Sequence, residues 1–134
     1  MNKIKTLFLP ACFSLVLVLL VTSCSTSNMG IGAEVDAEKL ANEYAADVKS
    51  GNKKYAGKYL TVVGKVSQQY KNKYQQSIII LMDSKNLNGV KCVLNSSSKQ
   101  LTKPLKQGES IKINGRCAGF DDYVILKGCL ILKN

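Results

Sequence analysis

Histidine and tryptophan are absent from the 134 residues, and arginine occurs once, at Arg116. Without histidine, Ser–His and Cys–His nucleophile–base pairs are excluded. Zinc or haem would also have few ligands to draw on, and no cysteine spacing resembles a zinc motif. No Cys-x-x-Cys lowers a thiol pKa for redox catalysis. Acids are scarce beyond residue 47, where only Asp83, Glu109, Asp121 and Asp122 remain. All four fall at expected turns, and the adjacent Asp121-Asp122 suits hairpin geometry better than acid–base work or cation binding. Gly115, Gly119 and Gly128 are too scattered for a phosphate-cradling loop. The chain therefore reads as a non-enzyme that needs no metal and no cofactor.

Lysine is present in quantity, and the charge is segregated. Residues 34–47 carry five acids against Lys39, a net of −4, whereas residues 48–134 carry sixteen bases and four acids, a net of +12. Such a surface keeps an exported domain soluble, or draws in an anionic partner such as phospholipid, acidic glycan or nucleic acid. Lysine is a hydrated point charge without the fork that arginine brings to phosphate, which favours the plainer reading.

The N-terminus has the layout of a lipoprotein leader. Lys3 and Lys5 precede a 15-residue apolar run from Leu7 to Val21, followed by Val21-Thr22-Ser23-Cys24. The run is shorter than the roughly 20 residues a spanning helix needs, and Pro10 and Ser14 weaken it further. Residues 1–23 are expected to be a signal peptide. Cys24 is expected to carry the lipid, as the stretch resembles a lipobox. Residues 24–35, small and polar, are expected to be a flexible tether, and residues 36–134 the folded domain. Ser25 stands where an aspartate would retain a lipoprotein at a Gram-negative inner membrane. Ser25–Asn28 also lacks the acids of a surface-export signal. The expected address is the cell envelope, at the periplasmic face of the outer membrane if the cell is Gram-negative.

Within the domain, Leu40, Tyr44 and Val48 recur every four residues beside Ala37, Ala41 and Ala45, predicting one amphipathic helix from Asp36 to Ser50. Asp36 is placed to cap it and Gly51 to end it. Period-two alternation then predicts five strands: Tyr59–Tyr70, Ser77–Met82, Val90–Asn95, Ser110–Cys117 and Tyr123–Lys133. Gly64, amid Val62 and Val66, suits a strand that bends round a barrel corner. Five short strands closed to remove their edges make a small Greek-key barrel.

Four blocks carry a family resemblance: Ala56–Val66, Gly89–Leu94, Leu105–Gly119 and Val124–Ile131. Together with the helix, which brings the span to residues 36–132, they resemble the tRNA-anti-like OB-fold lipoproteins. The resemblance implies a mainly β fold, a five-stranded OB-fold Greek-key barrel preceded by one N-terminal amphipathic α-helix. It also implies an exported, lipid-anchored setting, and no established reaction.

OB folds commonly bind oligonucleotides or oligosaccharides on their second and third strands and the adjoining loops. Around that face the sequence offers Tyr70, Lys71, Lys73 and Tyr74, with Lys65, Lys85 and Lys91 nearby. Aromatic and basic residues interleaved in this way can stack bases and track phosphates. The second strand is aliphatic, however, and export removes the chain from cellular RNA. The expected partners are therefore the membrane, through the lipid, and a cell-envelope protein or polysaccharide, with nucleic acid as the alternative.

Cys92, Cys117 and Cys129 would meet an oxidising compartment, where one internal bridge can form. Cys117 and Cys129 flank one hairpin, and a bulge at Lys127-Gly128 would turn Cys129 inward, so Cys117–Cys129 is the expected disulfide. Cys92–Cys129 is its rival.

Overall fold

The computed structural model describes residues 32–83, 85, 87–96 and 104–132. The expected leader, Cys24 and most of the expected tether lie outside the described residues. The elements run β1 (Ala33–Asp36), α1 (Ala37–Ala46), α2 (Val48–Tyr55), β2 (Tyr59–Lys71), β3 (Ser77–Leu81), β4 (Val90–Leu94), β5 (Ser110–Asp121) and β6 (Tyr123–Leu132).

Strands β2 to β6 close a barrel in the order β2-β3-β4-β6-β5, with β5 returning to β2. All neighbours are antiparallel except β4 and β6. The five expected strands are present and close on one another, with part of β2 left beyond the reach of β3. Residues 33–35, expected within the tether, instead join Asp36 in β1. It lies parallel to β2, with Val35 opposite Val62 and Asp36 opposite Val63, and Lys112 donates to Glu34 Oε2 at 3.0 Å.

The single expected helix is two. Asp36 caps α1, its carboxylate accepting from the backbone N–H groups of Glu38 and Lys39 at 2.9 and 3.2 Å. Asp47 then leaves helical geometry (φ −159°, ψ 104°). Its carboxylate accepts from the N–H groups of Lys49 and Ser50, starting a second helix. The break takes Val48 off the stripe, leaving it 41% exposed, while Leu40 and Tyr44 are fully buried. Gly51 ends nothing: it sits inside α2, buried against the Tyr44 ring.

Helix α1 touches β1, β2, β4 and β6, and α2 touches β5, the placement of a plug across a barrel mouth. Ala37, Leu40, Ala41 and Tyr44 join the barrel core around Val62, Ile79, Leu81, Ile113 and Leu126. Gly64 admits this plug, since a β-carbon there would stand 2.7 Å from that of Ala37.

The bulge expected at Lys127-Gly128 is present. Asn114 pairs with Leu130 and Arg116 with Lys127, leaving one extra residue on β6, and Gly128 takes the left-handed conformation (φ 62°). Parity flips there, so Val124, Leu126 and Cys129 all face the core. Cys92, Cys117 and Cys129 are all buried thiols here, so neither the expected Cys117–Cys129 bridge nor its rival Cys92–Cys129 is present in this structure. Cys117 pairs with Leu126, one inward row away from Cys129, and its sulfur lies 3.3 Å from the Tyr44 hydroxyl.

Candidate binding face

Strand β3 reads Ser-Ile-Ile-Ile-Leu, and its alternation splits the aliphatic side chains between two faces. Ile79 and Leu81 enter the core cluster. Ile78 and Ile80 stand outside that cluster, at 1% and 3% exposure. Register places partners on the same outward face, because paired residues share a side of the sheet. One row runs Tyr70–Ile78–Val93 across β2, β3 and β4. The next runs Gln68–Ile80–Lys91–Ile125 and reaches β6. Val93, Lys91 and Ile125 are half-buried, and Tyr70 is 42% exposed.

One end of this face is a stapled hairpin. Asn72 Oδ1 accepts from the N–H groups of Tyr74 and Gln76 at 2.9 and 3.0 Å, and Asn72 Nδ2 donates to Gln76 Oε1 at 3.0 Å. Gln75 turns the chain at φ 61°. The staple presents Tyr74 at 71% exposure, with the Lys73 ammonium 5.0 Å from its ring centre. Lys71, opposite Ser77, ends β2 beside it. A groove of about 350 Å³ continues from Gln68, Tyr70 and Lys71 to Pro104 and Leu105. Leu105 is held there by its N–H, which donates to Gln69 Oε1 at 2.9 Å.

The candidate residues therefore divide. Tyr70, Lys71, Lys73 and Tyr74 gather at the hairpin end. Lys65, whose carbonyl accepts from Met82 N–H, and the exposed Lys85 lie at the other end of β3. The length of β3 separates the groups by roughly 13 Å, four residues of strand rise. Lys91 sits within the face, as does Tyr70 where the face meets the hairpin. Val93, Ile125 and Gln68 complete it and were not among the expected residues. Their signal was available, because placing Val90, Cys92 and Leu94 inward puts Lys91 and Val93 outward.

Among the described residues, the other polar groups do not assemble into a reactive set. Contact with the Cys129 thiol, followed by burial, pushes the Cys92 thiol well up. Burial and the Cys117 contact likewise push up the Tyr44 hydroxyl. Both stay protonated at neutral pH, the opposite of an activated nucleophile. Among the described residues, no three of His, Cys, Asp or Glu gather as a metal site would require. Also among them, no helix is long and apolar enough to cross a membrane.

The fold has solved counterparts. A lipoprotein of Klebsiella pneumoniae, provisionally named for nucleic-acid binding, superposes with a TM-score of 0.60 at 14% identity, covering 75% of this chain and 92% of its own. At that identity the likeness establishes the fold alone. The telomere capping protein Ten1 from Saccharomyces pombe follows at a TM-score of 0.44 and 18% identity, covering 75% of this chain and 80% of its own, too distant to carry an argument. No curated protein sequence matches the chain. The family model described as tRNA_anti-like matches residues 2–130. A closed OB-type barrel matched by that model over nearly its whole length belongs to the tRNA_anti-like family.

Proposed function

We propose that the chain is a non-enzymatic binding module of the cell envelope, tethered by a lipid on Cys24 to the periplasmic face of the outer membrane. Its β2–β3–β4 face engages an envelope protein or polysaccharide. One observation carries this reading: around Ile78 and Ile80, themselves buried, the outward rows expose Gln68 and Tyr70 and half-expose Lys91, Val93 and Ile125, a mixed aliphatic and polar surface. Such a surface suits a partner that brings apolar contacts of its own. The centre offers no ring on which a base could stack, and the rings at the hairpin end are two tyrosines, one already beneath Lys73.

A second reading is binding of nucleic acid or another anionic polymer. It is favoured by the gathering of Tyr70, Lys71, Lys73 and Tyr74 around one hairpin. The Klebsiella counterpart's provisional name agrees with it.

Charge and shape variants separate the two. On the first reading, the partner captured from solubilised envelope persists with Lys71→Glu/Lys73→Glu and is lost with Val93→Asp. On the second, binding to single-stranded DNA or acidic glycan falls steeply as salt rises, and falls again in the charge-reversed variant. Binding that ignores Val93→Asp contradicts the first reading. Binding that ignores both salt and charge reversal contradicts the second.

A further inference from the structure

Three buried thiols lie in two adjacent inward rows of the barrel. Cys92, Leu126 and Cys117 form one row across β4, β6 and β5. Leu94 and Cys129 lead the next, and Gly115 completes it on β5, where a β-carbon would stand 2.5 Å from the Cys129 sulfur. The missing side chain at 115 is thus what gives Cys129 its room. Cys129 is diagonal to both Cys92 and Cys117, and sequence alone does not choose between them.

The structure chooses. Cys117 is engaged by the Tyr44 hydroxyl at 3.3 Å, on the side of the helical plug. Cys129 lies diagonally across from Cys92 over the seam where β4 and β6 run parallel, and its thiol is the chief cause that pushes the Cys92 thiol up. Both are fully buried.

We propose that Cys92 and Cys129 form a disulfide across the β4–β6 seam when the chain folds in the presence of a disulfide donor, and that Cys117 remains a thiol. One thiolate attacks the donor disulfide, releasing a donor thiolate and leaving a mixed disulfide. The other thiolate then attacks the protein sulfur of that bond and releases the second donor thiolate. The donor gains two electrons, and the two protein thiols give up their protons to solvent. Burial places the reaction before the barrel closes. Once folded, the thiols are shielded, and the upward shift at Cys92 keeps thiolate scarce. The bond would join segments far apart in sequence and fix the parallel seam. Export enters only as the natural source of the donor, so a test with added donor stands apart from the question of address.

The test refolds the full chain from denaturant in a mixture of oxidised and reduced glutathione, alkylates the remaining thiols and maps peptides without reduction. The expected product joins the peptides of Cys92 and Cys129 and carries alkylated Cys117. It persists in Cys117→Ala and disappears in Cys92→Ala. Reduced native protein is expected to form the bond at least about a hundredfold more slowly than refolding protein, because buried thiols react only through opening. A bridge that uses any other cysteine, or Cys92 and Cys129 both alkylated in refolded wild type, overturns the proposal. So does native protein that reacts as fast as the refolding chain.

Discussion

A β-carbon built on Gly51 would stand 2.6 Å from Cδ1 of Tyr44, and that ring cannot retreat, being stacked on Phe120 with centroids 5.9 Å apart. Gly51→Ala is therefore expected to destabilise the domain by about 1–3 kcal/mol through overpacking. In a solvent-exposed helix the same change would stabilise. Urea denaturation decides: an unchanged or raised midpoint would show that the ring has room. The sequence suggests a helix stop here because glycine so often ends helices. What the position needs is space for a ring 7 residues earlier, which no local pattern announces. Beside it, Lys54 and Tyr55 donate to Glu43 Oε2 at 2.8 and 2.7 Å. The Lys54 bond first, then that of Tyr55, holds the Glu43 carboxyl below its ordinary value of 4.5. The folded state thus binds this proton less readily than the unfolded chain. Its stabilisation is present above the unfolded value and is lost as pH falls through the lowered one. Glu43→Gln is expected to lower stability at pH 7 by less than about 1 kcal/mol, as the pair is partly exposed. The difference from wild type should vanish in strong acid. A difference that does not change with pH would reject the linkage.

Elements differ in how much of themselves the sequence discloses. Strands β2 to β6 are legible because the barrel gives every strand a dry inside and a wetter outside, and this writes the period of two. Strand β1 is not legible: alternating with Glu34 and Asp36, poor strand formers, it takes its order from the neighbouring edge of β2 rather than from propensity. The helix is half legible. Its stripe holds through Leu40 and Tyr44, but Asp47 serves as a cap in mid-pattern, and sequence does not distinguish a capping aspartate from a solvated one. The candidate face follows the same logic. Tyr70 and Lys91 could be placed on it by parity, whereas the separation of Lys65 and Lys85 from the hairpin group depends on which end each loop occupies. The plug is the most consequential of these elements, since Leu40, fully buried, belongs to the same core cluster as the barrel strands. Leu40→Ala is expected to cost about 2–5 kcal/mol, measured as a shift of a single cooperative denaturation. A separate, earlier transition for the helices would show that the plug is not part of the barrel's folding unit.

At the scale of the whole molecule, an acidic helical stretch and a basic barrel follow residues 1–23, the expected leader. The proposed lipid anchor is tested by growing cells with a radioactive fatty acid: label is expected on the wild type and absent from Cys24→Ala. Equal label on both would remove the anchor. The proposed partner face is tested most directly in intact cells, with a photo-crosslinking residue at Val93 or, as the control, at the exposed Lys127 on β6. A discrete adduct from Val93 with none from Lys127 is the predicted result. Equal adducts from both positions, or none from Val93, would contradict a binding module that works through the β2–β3–β4 face.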